Sequence, residues 1–278
     1  MFVKNGTGVL KRVLLSPPEF LKPAPINEIA KKWEDKGMNT KVMACEFEAV
    51  LKAYHDAGVE TCILPADPER PNSVFARDFG GCVKEGYVLG RFKLPLRYKE
   101  HTDYQKKMEE LEIPCVCEVK EGLFEGGDFA FLRENLIAVG MADRTNERGV
   151  EEIRAALTPL GYKVVGVPLK REYLHFDMCF NLVDDNLAVA YYDGLPDDFK
   201  DLLRKLDIEV IPVKEEDIFL HGCNLQALGD HRVMSLERNK YVNEELTKHG
   251  MNVIELPVTE ILKAGGGPHC MTFPLLRV

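Results

Sequence analysis

Hydrophobic and polar residues alternate along this chain in short runs that come in pairs. Phe79–Gly90, Phe129–Val139, Cys179–Tyr191 and, more weakly, Leu225–Ser235 each read as strand, turn, strand. Their turns, Glu85-Gly86, Glu134-Asn135, Asp185-Asn186 and Gly229-Asp230, carry the residue types that hairpin loops require. Between the pairs the apolar spacing changes to that of a helix. Val150, Ile153, Ala156 and Leu157 form one face within 146–160, and Phe199, Leu202, Leu203 and Leu206 form another within 197–206. A third helix is expected over 240–249, stopped by Gly250. A β-branched run follows each helix, at 163–167, 209–213 and 252–256. Near the N-terminus a helix over 42–57 and a strand over 60–64 repeat the second half of the same pattern.

The residues just ahead of the hairpins keep a nearly constant period. Asp78, Asp128, Asp177, Asn224 and Cys270 are separated by 50, 49, 47 and 46 positions. The chain therefore reads as five copies of a ββαβ unit, each about 50 residues plus loops, in a single α/β domain spanning 1–278. One such unit cannot bury its own apolar face, so the units must pack on one another, and five close naturally into a ring. Closure would bring the five periodic positions together on the central axis. The alternative is an ordinary α/β sheet in which hairpins recur by chance.

Composition narrows the partner. With 278 residues, 45% hydrophobic and 29% charged, disordered and collagen-like classes are excluded. Lys+Arg 36 against Asp+Glu 45 gives a net charge of −9, which argues against nucleic acid or an anionic membrane and leaves cationic small molecules open. No apolar run approaches the roughly 20 residues of a membrane span, and residues 1–15 lack a signal-peptide pattern. The expectation is a cytoplasmic protein with reduced thiols.

Of eight cysteines, Cys270 stands apart. It follows Gly265-Gly-Gly-Pro-His269, where the backbone can approach a ligand closely. Attack on a carbon centre needs a thiolate supported by a base or a positive field. Cys62, Cys82, Cys179 and Cys223 sit in apolar runs and read as core. Cys115 and Cys117, taken to face opposite sides of a strand, read as structural. His221, His231 and His249 read as solvated, and His269 as a weaker catalytic histidine than His175. His175 and Asp177 are expected on one face of a strand. No metal site is expected, since His-x-x-x-His and Cys-x-x-Cys are absent, and no cofactor is expected, since no glycine-rich loop precedes a helix. Asp78, Glu125, Asp128 and Asp177 would crowd one site with Cys270. Carboxylates so placed repel unless a cation lies among them, and a planar guanidinium offers donors in a fork that suits them.

With these segments in view, the chain resembles the guanidine-modifying superfamily of arginine deiminases, dimethylarginine dimethylaminohydrolases and amidinotransferases. Phe75-x-Arg-Asp78, Glu125-Gly-Gly-Asp128, His175-x-Asp177 and Gly-Gly-Gly-x-His-Cys270-Met-Thr match its motifs in order, from about Asn72 to the C-terminus. The resemblance implies a five-bladed pentein-type α/β propeller of ββαβ units. It implies Cys270 as nucleophile, His175 as acid and base, Glu125 as its orienting partner, and Asp78 and Asp177 as guanidinium ligands with Asp128 in support. Arg97 and Arg144 become candidates for holding a substrate carboxylate. The implied reaction is hydrolysis of arginine or an arginine-like compound through a covalent amidino-thioether. The alternatives are dimethylarginine hydrolysis, amidino transfer or a catalytically silent guanidine-binding protein. Within the family, His175-x-Asp177 favours a deiminase-like hydrolase. A homodimer is common among such rings.

Overall fold

In the computed structural model, which describes residues 1–24 and 27–278, fifteen strands are grouped three at a time into five small sheets. Three of them come from consecutive segments in the expected order. The first joins β3 (Gly80–Val83), β4 (Gly86–Leu89) and β5 (Cys115–Glu118). The second joins β6 (Phe129–Arg133), β7 (Leu136–Met141) and β8 (Lys163–Pro168). The third joins β9 (Phe180–Asp184), β10 (Leu187–Ala190) and β11 (Glu209–Pro212). A fourth follows the same rule with β12 (Gln226–Gly229), β13 (Arg232–Leu236) and β14 (Asn252–Leu256). In each, the hairpin is antiparallel and the strand after the helix adds parallel to its second member.

The fifth sheet is assembled from both ends of the chain. The last strand, β15 (Phe273–Arg277), pairs antiparallel with the first, β1 (Leu10–Leu15), which pairs parallel with β2 (Glu60–Ile63). This explains why only a helix-then-strand half was readable near the N-terminus: the missing hairpin strand lies at the other end. Leading strands of neighbouring sheets lie side by side, β15 with β3, β6 with β9 and β9 with β12, and β12 also lies beside β1 of the fifth sheet.

The helices are α1 (Glu28–Lys31), α2 (Thr40–Asp56), α3 (Tyr98–Glu110), α4 (Glu147–Leu157), α5 (Asp197–Lys205), α6 (Glu215–Ile218) and α7 (Lys240–Lys248). None among the described residues is long and apolar enough to cross a membrane. Helix α4 begins where Asn146 accepts the Gly149 amide, and its buried face is Val150, Ile153 and Leu157. That face packs in one cluster with Val88 and Cys117 of the preceding sheet and Ile137 of its own. Likewise Val242 and Leu246 of α7 share a cluster with Val183 and Val189 from the neighbouring sheet. The apolar core thus lies between units rather than inside them. Helix α3 is not expected from the sequence. Only Glu100, Tyr104 and Met108 along it are buried, so its single apolar stripe is short and interrupted by a charge.

Local details revise several expectations. The turns before β3, β6 and β9 are short 3-10 helices, Ala76–Phe79, Gly126–Asp128 and Phe176–Met178, so His175 and Asp177 do not share the face of a strand. Residues two apart on a regular strand do share a face. Cys115 is exposed and Cys117 buried because a bulge pairs Tyr87 with Cys115 and Val88 with Cys117. His221 is fully buried rather than solvated, and burial beside the Arg238 charge pulls its pKa down to about 4. All eight cysteines are free thiols.

The Glu125-Gly-Gly-Asp128 turn shows why two glycines are needed. A Cβ on Gly126 would lie 1.9 Å from the Gly80 carbonyl oxygen and 2.1 Å from that of Arg77, where two units meet backbone to backbone. Gly126→Ala is therefore expected to destabilise the protein by about 3 kcal/mol. Urea unfolding measures this, and a change below about 0.5 kcal/mol would refute the contact.

Candidate active site

The turns that precede the leading strands of the sheets deliver their side chains to one buried place. Cys270 Sγ, 4% exposed as a residue, receives a hydrogen bond from Asn224 Nδ2 at 3.0 Å and lies 3.4 Å from Asp177 Oδ2. Asn224 also accepts the backbone amides of His269 and Cys270 through Oδ1, at 3.1 and 3.3 Å. It therefore fixes both the thiol and the loop that carries it. A Cβ on Gly267 would come within 2.8 Å of that oxygen, and one on Gly266 within 2.4 Å of the Phe75 ring, so the glycine run permits this packing.

His175 is presented from the other side. Leu174, just before it, has φ 66° and ψ −67°, a strained turn closed by the His175 amide on the Tyr173 carbonyl at 2.7 Å. The His175 ring donates Nε2 to Glu125 Oε2 at 3.1 Å and holds Nδ1 3.8 Å from Asp78 Oδ1. Gly127 leaves room for it, since a Cβ there would lie 2.9 Å from the ring. Burial opposes charge on His175, but Asp78, Glu125 and Asp128 outweigh it and raise its pKa to about 10. Glu125 is held well below the usual carboxylate range; burial opposes this, while the His175 hydrogen bond and the Arg144 charge bring it about. The pair is an imidazolium against a carboxylate.

Two arginines complete the acid cluster. Arg97, 1% exposed, donates Nη1 to Asp78 Oδ2 at 2.5 Å, Nε to both oxygens of Glu100, and Nη2 to Glu100 and the Phe75 carbonyl. Arg144 bridges Glu125 Oε2 at 3.3 Å and Asp143 Oδ2 at 3.1 Å. Asp143 also accepts from Lys93 and Arg171. A cavity of about 20 Å³ lies between Asp78, Arg97, Arg144, His175 and Cys270. An outer cavity of about 270 Å³, reaching Asp143, Arg171 and Tyr173, shares Asn27, Leu174, Met178 and Gly265 with it.

Of the residues singled out from sequence, Cys270, His175, Asp78, Arg97 and Arg144 share the inner cavity, and Glu125 binds His175 from behind. Asp177 touches the thiol. Asp128, expected in a supporting role, lies away from the thiol. It is fully buried, accepts the Phe176 amide at 2.8 Å and the Thr145 hydroxyl at 2.7 Å, and burial pushes its carboxyl up to about 7. It anchors the His175–Asp177 segment. Asp177 Oδ2 also accepts Nδ1 of His269 at 2.8 Å, and burial with the Arg77 charge draws His269 down to about 4, leaving it neutral. From sequence His269 reads as the weaker catalytic histidine, whereas Glu100, Asn224 and Asp143 have no assigned role. Only Asn224 carried a signal, its place in the period. Among the described residues, Asp78, Glu125 and His175 bring ligand atoms within 4.8 Å of one another, a group able to hold a cation.

Cys270 is electrostatically restrained. Burial, then the Asp177 and Asp78 charges, push its thiol well above the ordinary value, against the Asn224 hydrogen bond. Burial opposes ionisation of Asp177, but the His269 hydrogen bond together with the His175 charge and the Cys270 contact lowers its pKa. One oxygen on each of Asp78 and Asp177, Oδ1 in both, is buried with no hydrogen-bond partner. Both acids act electrostatically on the Cys270 thiol.

Comparison with known proteins follows this geometry. Residues 17–277 match the family model described as N,N dimethylarginine dimethylhydrolase, eukaryotic. The chain is 30% identical over 271 residues to the uncharacterized protein YkgA of Bacillus subtilis, covering 97% of this chain and 93% of that one. It is 26% identical over 252 residues to arginine deiminase of Listeria welshimeri, covering 74% of this chain and 62% of the deiminase. Among solved structures, the N-terminal domain of ArgZ, an arginine dihydrolase from cyanobacteria, superposes with a TM-score of 0.83 at 23% identity, covering 95% and 96% of the two chains. Another structure of that domain is covalently bound to a reaction intermediate. DDAH from Pseudomonas aeruginosa superposes with a TM-score of 0.81 at 20% identity, covering 96% and 99%. These structural likenesses establish a shared fold.

The raised pKa of His175 has a sign that can be measured. A base raised from 6.5 to about 10 on folding contributes its full stability below about pH 6.5 and loses it as pH rises through 10. The stability of wild type minus that of His175→Gln is therefore expected to fall across this window, by at most about 1.4 kcal/mol per pH unit. Chemical denaturation at pH 6, 8 and 10 tests it, and a flat difference would show that His175 is neutral.

Proposed function

Because this chain belongs to the family described as N,N dimethylarginine dimethylhydrolase, matched over 17–277, we propose that it is a C–N hydrolase acting on the guanidinium carbon of arginine or an arginine-like compound. The observation that carries this reading is the pair of buried oxygens without a hydrogen-bond partner, Asp78 Oδ1 and Asp177 Oδ1, on the two acids whose charges act on Cys270. A buried carboxylate oxygen without a donor is costly, and a planar cation with forked N–H groups satisfies both at once. The five sheets are read as a closed ring, with this site at its inner end.

The chemistry follows from the charges. A docking guanidinium offsets the fields of Asp78 and Asp177, so the Cys270 pKa falls and its proton passes to solvent. The thiolate attacks the guanidinium carbon and forms a C–S bond. His175, charged and held by Glu125 through Nε2, gives its Nδ1 proton to the departing nitrogen, and the C–N bond breaks. The product of this half is an amidino-thioether on Cys270. His175, now neutral, takes a proton from water as its oxygen adds to the same carbon. Cleavage of the C–S bond then releases a ureido product and restores the thiol. Asn224 and the acids act by preorganised electrostatics. Arg97, with its donors committed to Asp78, Glu100 and main-chain carbonyls, is a positioning residue for Asp78 rather than a carboxylate ligand. Arg144 is read as a positioning residue for Glu125 that also faces the cavity.

Two members of the family remain in contention. The family description favours methylated arginines, whereas Asp177, standing where dimethylarginine hydrolases commonly carry Lys, favours free terminal nitrogens. Incubation with arginine, agmatine, Nω-methylated arginines and citrulline, assayed for ammonia, methylamines and ureido product, separates them. Ammonia with a ureido product from arginine is expected. Methylamine release would select the dimethylarginine reading, and inertness toward every guanidine would reject the hydrolase. Cys270→Ser is expected to lower turnover by at least about 10³-fold with an unchanged unfolding midpoint. Retained activity would remove Cys270 as nucleophile.

A further inference from the structure

A third cavity, of about 60 Å³, lies among the leading strands and is lined by Asp177 and His269 but not by Cys270. It is lined by two arginines of unlike origin. Arg77 sits in the turn before β3, and Arg277 lies near the end of β15, so they meet where the first complete unit adjoins the sheet built from both chain ends. Both are nine-tenths buried or more, at 8% and 2% exposure. Their hydrogen bonds reach only neutral acceptors. Arg77 donates to Gln226 Oε1 at 3.1 Å and to the His269 carbonyl at 3.5 Å, and Arg277 to the carbonyls of Gly8 at 2.5 Å and Ala227 at 2.9 Å. Neither forms an ion pair among the described residues, and Arg277 Nε is buried with no partner at all.

Two buried like charges facing one cavity are costly, and a buried unpaired donor in a native protein calls for a partner. The strain is visible in Arg277, whose guanidinium is drawn down to about 9 by burial and then by the charge of Arg77. We propose that a small monovalent anion of chloride size binds between Arg77 and Arg277 in this cavity and clamps the seam between the first and last strands. Arg277 Nε and the Arg77 guanidinium would donate to it. Asp177 lines the same cavity and supplies one negative charge there, which disfavours dianions such as sulfate. The volume of about 60 Å³ has space for a halide and a few waters. This site is separate from the proposed hydrolysis, and its test does not read activity.

Thermal unfolding in sodium chloride and in sodium gluconate at equal ionic strength tests the proposal. Chloride is expected to raise the midpoint saturably by about 3 °C over gluconate, with sulfate no better than gluconate. Arg277→Gln is expected to abolish the difference and Arg277→Lys to keep part of it. If Arg277→Gln does not fold, crystals of the wild-type protein soaked in bromide decide the matter. An anomalous peak between the two guanidinium groups is expected. Water alone in the cavity, bromide only on the outer surface, or equal midpoints in chloride and gluconate would overturn the proposal.

Discussion

Burial of several carboxylates in one place is the constraint around which this protein is arranged. Asp78, Glu100, Glu125, Asp128 and Asp177 are each 5% exposed or less. Removing such groups from water costs several kcal/mol apiece unless partners restore what the water supplied. Each acid is answered differently. Asp78 and Glu100 share Arg97. Glu125 is set between Arg144 and His175. Asp177 leans on His269 and Asn224. Asp128 has no cation in direct contact; it accepts an amide and a hydroxyl, and its raised pKa brings it near protonation at neutral pH. Deleting Arg97 would leave two buried carboxylates, Asp78 and Glu100, without their shared guanidinium. The network is therefore a single electrostatic object rather than a set of separable bonds.

Repetition of the unit is what gathers these groups. Three turns in the same place in three units supply Asp78, Asp128 and Asp177, and the fourth and fifth units place Asn224 and Cys270 at the equivalent points. A ring of identical units would present five identical side chains, all repelling. Chemistry enters through divergence. One acid turns away to anchor the backbone, one position becomes an amide that holds the thiol, and one becomes the thiol. The glycines beside these positions serve the same end, because Gly126 lets backbones of adjacent units touch and Gly127 gives the His175 ring its place.

How far the sequence carried this picture depended on whether a feature was local. The hairpins, helices α2, α4, α5 and α7 and the period of polar residues follow from patterns within about fifty residues, and the structure has them where the patterns put them. Helix α3 escaped because its stripe includes Glu100, a charge that makes sense only once Arg97 is folded against it. The partner of β1 escaped because pairing the two chain ends leaves no local trace. Identifying side chains was easier than placing their partners. Arg97 was marked, but the commitment of its donors to Asp78 and Glu100 is a tertiary fact. His221 resembled a surface histidine because its neighbour Arg238 is distant in sequence and its positive φ, 62°, is not written in residue type.

The acids proposed to draw in a cation also hold the Cys270 thiol back. In the free protein, burial and then the Asp177 and Asp78 charges raise the Cys270 thiol above its ordinary value, which keeps it protonated at neutral pH. Under the proposed reaction, only a ligand that is both positive and planar satisfies Asp78 Oδ1 and Asp177 Oδ1 and releases that restraint in one step. Selection by charge is thus built into activation as well as binding. The logic reverses after turnover. A ureido group is neutral and presents fewer donors, so it leaves the two carboxylates less well compensated than the guanidinium did. The Cys270 pKa rises again, and the product loses the electrostatic support that admitted its precursor.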